Sequence, residues 1–393
     1  MGMSRKAKGR RRARRRTQIV ASILGTWVCV GYAVALAQAA QPQEQQDIVV
    51  TEMRIPTHGS GKKGLEAVMV RPNDKTAHPL ALLTHGTPRE AQQRSEMTPL
   101  RMIPQAREFA RRGWTAVIVM RRGYGDSGGS YEEDAHACGR RPADYSGATK
   151  ESVKDLREAA AYLDTRPEVD PSRMIGIGVS TGGLAMVGLA ANPPTGMVAG
   201  ISFAGGRGSN APDHVCNPES LIQTFGEFGK HAKVPMLWVY AANDHFFGPE
   251  LAKNFYQAYE QNGGKARFFA AGPFGSDGHG LFSLRGIPMW TPAVDEFLKS
   301  ESLVLRDALL PVEVPKVDPP DHISSPGQEE FPIYLLSAPH KAFAASRAGQ
   351  FGVAVGRRTT QDAEKHALEA CTKAAPKGDP CTIVMIEDEK AQK

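Results

Sequence analysis

Ser180 lies in the run Met174-Ile175-Gly176-Ile177-Gly178-Val179-Ser180-Thr181-Gly182-Gly183. A serine with a glycine two places before it and another two places after it, between a β-branched run and a helix-like one, fits a very sharp strand–turn–helix. Gly178 and Gly182 are the two positions that must stay small. A hydroxyl held this way can attack an acyl carbon at neutral pH if three needs are met: a base takes its proton, an acid orients the base, and donors receive the oxyanion. The amides that open the following helix point at developing negative charge, so Thr181 is the first candidate donor. The second is Thr87, in His85-Gly86-Thr87-Pro88. There His85 is read as a structural residue that orients the loop.

The other partners are expected in the order serine, acid, histidine. Asp244 lies in Ala241-Ala242-Asn243-Asp244-His245, just past the apolar run 235–240. Such a place at the carboxyl edge of a parallel sheet is where catalytic groups gather. His279 lies in Phe274-Gly275-Ser276-Asp277-Gly278-His279-Gly280, after the run 266–270, with a glycine on each side to leave its ring room. His245 is the rival base and Asp277 the rival acid. Ser127 is the rival nucleophile: Gly125-Asp126-Ser127-Gly128-Gly129 matches the same pattern and resembles the serine motif of chymotrypsin-like proteases. A polar loop rather than a helix follows it, which favours Ser180.

Placing these residues calls for a sheet. Short β-branched runs at 48–55, 65–71, 80–84, 115–120, 174–179, 199–203, 235–240 and 266–270 alternate with helix-like stretches at 99–112, 146–164, 182–191, 219–231, 250–261 and 292–298. Within the second of these stretches Val153, Leu156, Ala159, Ala160 and Leu163 mark one face of a helix. The first two runs have no helix between them, and regular alternation follows. This order predicts an α/β fold: a mostly parallel eight-stranded sheet with an antiparallel start and helices on both faces. The expected organisation is a leader over 1–39, a catalytic domain over 48–300, an extended proline-rich linker over 301–332 and a small α+β domain over 333–393. In the last, 351–356 and 381–386 read as strands and 360–373 as a helix.

The formal charge of +6 belongs to the leader. Residues 5–16 hold nine basic side chains and no acid precedes Glu44, which leaves 39 Lys+Arg against 42 Asp+Glu elsewhere. No basic stripe with interleaved aromatics remains, so nucleic acid is not an expected partner. A basic segment, the uncharged stretch 19–37 and small-residue sites at Ala35-Leu36-Ala37 and Ala37-Gln38-Ala39 make a secretory signal peptide, and the protein is expected in the periplasm or secreted. Left uncleaved, the same stretch would be the chain's one link to a membrane. With Cys29 in the leader, four cysteines remain, and an even count in an exported chain predicts two disulfides with three possible pairings. Cys138–Cys216 and Cys371–Cys381 are expected, because each pair then stays inside one domain. None of the four has metal-ligand spacing, and neither a metal nor a cofactor is called for.

His85-Gly86-Thr87-Pro88, Arg122-Gly123-Tyr124-Gly125, the Ser180 elbow, Asn243-Asp244 and Gly278-His279-Gly280 together resemble the dienelactone-hydrolase-like and prolyl-peptidase-like branch of the α/β-hydrolases. The resemblance spans about 48–298 and implies acyl transfer without a cofactor. Dienelactone hydrolases carry cysteine at the elbow where this chain has Ser180, so ester or amide hydrolysis is expected rather than dienelactone cleavage. The expected substrate is a small ester or, as the alternative, a short peptide. A non-catalytic envelope binding protein on the same scaffold is the reading from a different class. The loops 129–145 and 205–218 are the candidate covers of the pocket. Phe246, Phe247, Phe274 and Phe282 are candidates for its lining or for the core. Arg140 and Arg141 could hold a substrate carboxylate or simply be solvated loop arginines. The tail resembles small exported domains with an Ala-x-x-x-Ala-x-x-x-Cys pattern (Ala363, Ala367 and Cys371); this says nothing of its partner.

Overall fold

The β-branched runs become strands because every one of them is covered on at least one face, and the central ones on both. In the computed structural model, which describes residues 47–139 and 142–391, the strands before the elbow are β1 (Ile48–Ile55), β2 (Leu65–Pro72), β3 (His78–Thr84), β4 (Thr115–Val119) and β5 (Val169–Val179). After it come β6 (Met197–Phe203), a small hairpin of β7 (Ser209–Ala211) and β8 (His214–Val215), then β9 (Met236–Ala241) and β10 (Ala266–Ala271). The leader, with Cys29, and the pair Arg140–Arg141 lie outside the described residues. Eight strands form one sheet in the order β1-β2-β4-β3-β5-β6-β9-β10. β1 and β4 each pair antiparallel with β2, and all later pairings are parallel. From β3 the chain steps to one side to make β4, then returns to the other side to make β5. That reversal opens a crevice at the carboxyl ends of β3 and β5, where α/β sheets bind ligands.

Six helices cover the sheet: α1 (Ile103–Arg111), α2 (Tyr145–Leu163), α3 (Thr181–Ala191), α4 (Pro218–His231), α5 (Pro249–Gln261) and α6 (Ile287–Ser300). Phe109 of α1 and Trp290 and Phe297 of α6 pack on one face, against Ile118, Ile177 and Val239. Leu156 of α2, Leu184 of α3, Phe225 of α4 and Phe255 of α5 pack on the other. The apolar stripe of α2 is buried along its length, and α3, directly behind Ser180, is buried on every side.

The linker reading needs a correction. Residues 301–324 are irregular, yet they are fastened to the body: Trp114 Nε1 donates to the Val304 carbonyl at 3.0 Å and Arg111 Nε to the Leu310 carbonyl at 2.6 Å. A helix, α7 (Ser325–Leu336), then begins inside the stretch expected to be extended. Pro326 stands at its start, where a missing N–H costs nothing. Pro332 lies inside it, and packing of Phe331, Tyr334 and Leu335 into the small domain's core outweighs the lost hydrogen bond. The boundary at 332/333 therefore falls within a helix.

The small domain holds β11 (Ala342–Ser346), β12 (Phe351–Ala354), α8 (Thr360–Ala374), β13 (Cys381–Ile386) and β14 (Glu389–Lys390), with the antiparallel order β12-β11-β13-β14. α7 covers one face of this sheet. Ala363, Ala367 and Cys371 of α8 cover the other against Ala342, Ala344 and Ala354. Contact there is so close that a Cβ on Gly352 would stand 2.2 Å from the Ala367 carbonyl oxygen.

Both expected disulfides are present, Cys138–Cys216 and Cys371–Cys381, with sequence separations of 78 and 10. On the chain-entropy account, replacing the first pair by serines should lower stability by about 4.5 kcal/mol and the second by about 3 kcal/mol. Urea unfolding of the two variants measures this. Equal losses from both would show that loop length is not what the bridges act through.

Candidate active site

β5 delivers Ser180 to the crevice and α3 leaves at once. The turn forces Ser180 to φ 57° and ψ −122°, a left-handed conformation that typically costs about 1–3 kcal/mol for a non-glycine residue. Its surroundings hold it there: the Ser180 N–H donates to the Phe203 carbonyl at 2.9 Å, and its carbonyl accepts from the Leu184 and Gly206 amides, both at 3.1 Å. A Cβ on Gly178 would meet the Gly182 carbonyl oxygen at 2.1 Å, and one on Gly182 would meet the His85 carbonyl oxygen at 2.5 Å. These two glycines are required by close approach.

Asp244 follows β9 and its carboxylate is wholly buried. Oδ1 accepts from the Phe246 and Phe247 amides at 2.7 and 2.9 Å, which aims the group across the crevice. His279 Nδ1 meets Oδ1 and Oδ2 of Asp244 at 3.2 and 3.1 Å. The ring stacks on Phe246 with centroids 3.8 Å apart, and Phe247 presents its edge. With Nδ1 engaged by the acid, Nε2 is left for the nucleophile, the division of labour a base needs. Ser180 and His279 line the same cleft.

The rivals are occupied elsewhere. His245 is at the surface, paired with Asp213 at 2.8 Å, a contact that raises its pKa above the ordinary value. Asp277 accepts from the His245 and His279 amides at 3.0 and 2.9 Å and so shapes the histidine loop. Ser127 Oγ donates to the Met120 carbonyl at 2.7 Å and accepts from the Glu66 amide at 2.9 Å, tying a loop to β2. Of the four phenylalanines, Phe246 faces the cleft and Phe247, though part of the core, lines the pocket beside Ser180, while Phe282 is core and Phe274 packs against the core's edge.

Thr87 and Thr181 face each other, Oγ1 to Oγ1 at 2.8 Å. Thr87 also meets the Tyr124 hydroxyl at 2.6 Å, and that hydroxyl donates to Glu133 at 3.0 Å. Protons in this chain can run only one way: Glu133 accepts from Tyr124, Tyr124 from Thr87, and Thr87 from Thr181. The orientation of both threonines is thereby set. His85 plays the structural part expected of it. Its Nε2 accepts from the Arg121 amide at 3.1 Å, so Nδ1 carries the hydrogen toward the Gly86 carbonyl at 2.7 Å. Burial, reinforced by the Arg121 charge, pushes its pKa down to about 3, and the ring stays neutral.

A charged cluster lies behind this wall, joined through space by residues far apart in the chain. Arg121 and Glu133 are fully buried and bonded at 2.5 and 3.1 Å, and Arg207 reaches Glu133 Oε2 at 2.9 Å. Arg121 also donates to the Thr84 hydroxyl and the His85 carbonyl, both at 2.8 Å, and to Thr181 Oγ1 at 3.2 Å. Burial opposes the Glu133 charge, yet the two guanidiniums overcome it and hold the carboxyl well below the usual range. Arg122-Gly123-Tyr124-Gly125 was the only readable trace of the cluster. Asn243, part of the motif Asn243-Asp244, has a role of its own: its side chain accepts from the Phe274 amide at 2.8 Å and so pins the histidine loop to the acid's loop.

Two cavities meet at Ser180. The smaller, about 150 Å³, is lined by Thr181, Tyr131, Ala135, Gly208 and Phe247 and lies under the loops 129–145 and 205–218, which Cys138–Cys216 ties together. The larger, about 550 Å³, is open and is bounded by Thr87, His279 and Phe246, with Met97, Arg101 and Arg357 further out. Among the described residues no cluster of His, Cys, Asp or Glu could hold a metal ion, and no helix is long and apolar enough to cross a membrane.

The sheet order and its helical layers are those of the α/β-hydrolase fold. The dienelactone hydrolase family model matches residues 102–282. Similar solved structures include an esterase of Pyrococcus furiosus (16% identity over 64% of this chain and 90% of that one, TM-score 0.45). Others are Thermogutta terrifontis esterase 2 (17%, 66% and 96%, 0.45) and an acylaminoacyl peptidase of Pyrococcus horikoshii (16%, 67% and 43%, 0.46). No curated protein matches the sequence. The two disulfides fit an oxidising compartment.

Proposed function

We propose that this chain is an exported serine esterase that cleaves carboxylic esters of short acyl groups through Ser180, His279 and Asp244. The observation that carries the reading is the Asp244–His279 pair at 3.1 Å in a cleft shared with Ser180. His279 Nε2 takes the Ser180 proton as Oγ attacks the acyl carbon, and Asp244 stabilises the imidazolium. The amides of Thr87 and Thr181 receive the oxyanion; their side chains are already locked, so little reorganisation accompanies charge development. Collapse of the intermediate breaks the ester C–O bond and His279 protonates the departing alcohol. Water then attacks the acyl-enzyme, His279 takes its proton, the Oγ–acyl bond breaks and the proton returns to Ser180. The smaller cavity, about 150 Å³ against about 550 Å³ for the larger, favours a short acyl chain there.

Labelling of the purified protein with a fluorophosphonate is the test. Wild type and Ser127→Ala are expected to react and Ser180→Ala not to. Loss of labelling in Ser127→Ala alone would overturn the choice of nucleophile, and no labelling of folded wild type would favour a binding protein on this scaffold. Asp244→Asn should keep the fold and lower kcat about 10⁴-fold, since the asparagine amide favours the wrong histidine tautomer. Steady-state ester hydrolysis checks this, and a loss under tenfold would remove Asp244 from the triad. Export rests on the leader, and N-terminal sequencing of protein recovered outside the cytoplasm would locate its end near residue 39.

A further inference from the structure

The larger cavity is not closed by the hydrolase domain alone. Arg357, from the loop between β12 and α8, and His366, from α8, stand on its wall beside Arg101 of the hydrolase domain. The small domain is seated there by Arg358, whose guanidinium forks onto Glu66 at 2.9 and 3.2 Å and donates to the Met97 carbonyl at 2.5 Å. Gly356 lies directly on Arg101: a Cβ there would meet Arg101 Cγ at 2.9 Å, and its φ of +60° suits glycine. The wall is therefore built, with the backbone of one domain shaped to the side chain of the other.

Its charge leans positive, since Arg101 and Arg357 stand against the single carboxylate of Glu96 in the lining. Among the described residues neither Arg101 nor Arg357 makes an ion pair. Burial lowers the pKa of Arg101 and the neighbouring Arg357 lowers it further, while Glu96 and Asp362 offset part of this. Asp362 is engaged by His366 at 3.1 Å. Each of these guanidiniums lines the cleft without an ion pair and presents the planar fork of donors that binds an oxyanion group.

We propose that Arg101 and Arg357 form a subsite for an anionic oxygen group, carboxylate or phosphate, on the alcohol portion of the substrate. The smaller cavity takes the acyl group, so the alcohol lies in the larger one and its far end reaches the small domain. The inference rests on the serine esterase reading, and it makes the small domain a determinant of specificity.

The test uses the full chain and three acetyl esters of matched length whose alcohols end in a carboxylate, a phosphate or a neutral carboxamide. Wild type should prefer one or both charged esters over the carboxamide by about 10- to 100-fold in kcat/KM, in the range expected of charge-assisted hydrogen bonds. Whichever charged ester is preferred identifies the group. Arg357→Gln and, separately, Arg101→Gln should bring that ratio toward one, chiefly through KM, while circular dichroism confirms that each is folded. Lys365→Gln removes a cation of α8 that interacts with Glu369 at the surface, and it should leave the ratio as it was. Equal rates on all three esters in wild type, or an unchanged ratio in both arginine variants, would overturn the subsite and leave the esterase reading intact. No turnover of any ester, together with no fluorophosphonate labelling, would remove the reading on which the subsite rests.

Discussion

Ser180→Ala is expected to lower kcat for a small activated ester about 10⁶-fold, the scale reached when a serine nucleophile is lost. KM should change little, because the hydroxyl contributes to the transition state more than to binding the ester. The variant should also be at least as stable as wild type. The φ of 57° that alanine inherits is no worse for it than for serine, and the contacts that impose it are backbone hydrogen bonds from Leu184, Gly206 and Phe203. Single-turnover kinetics with a chromogenic acetyl ester, paired with urea unfolding, separates the two effects. Loss of activity together with collapse of the unfolding transition would point to a structural serine. A residual rate within a factor of ten of wild type would exclude Ser180 as nucleophile.

Glu133→Gln is the second large effect, and it falls on stability. The substitution leaves Arg121 and Arg207 charged and buried without their carboxylate, a change that typically costs about 3–5 kcal/mol. Activity should fall as well, since Arg121 holds the His85 carbonyl and the Thr181 hydroxyl, and Tyr124 would lose its acceptor. The same group sets a pH dependence. The folded-state pKa of Glu133 is depressed, so the unfolded chain takes up the proton first as pH falls. Its contribution is complete above an unfolded value of about 4.3 and drains away below that, as pH approaches the folded pKa. Wild type should therefore lose melting temperature steeply between about pH 5 and pH 2. Glu133→Gln should start lower and fall less steeply. Parallel curves for the two proteins would show that Glu133 titrates alike in both states.

Local pattern made the sheet legible before any coordinates. All eight expected runs are strands of the one sheet, and the central ones such as β3, β4 and β9, covered on both faces, carry an unbroken apolar signature. The position of Ser180 was legible for the same reason, since strand, turn and helix are all local. The small domain was less so. β11 is Ala342-Phe343-Ala344-Ala345-Ser346, an alanine-rich strand that lacks the residues by which strands are read. Its alanines are dictated by the close approach of α8, a tertiary fact. α7 was hidden by two prolines whose cost depends on position and on packing against residues beyond 340. The Glu133 cluster joins residues 74 and 12 apart through space. Glu133 stands in a polar run that otherwise reads as solvated loop. Arg357 lies about 180 residues beyond the nucleophile, past the end of the matched family domain. No spacing rule within the hydrolase domain reaches it.

The seat of Arg358 on Glu66 brings the last quarter of the chain to the mouth of a cleft whose reactive groups all lie upstream. Ser180, Asp244 and His279 and the outer wall thus belong to separate stretches of the gene. Insertions, drift or exchange in the tail can remodel what enters the crevice while serine, histidine and aspartate stay where the sheet holds them. Related chains with the same crevice and different tails would then differ in diet rather than in chemistry.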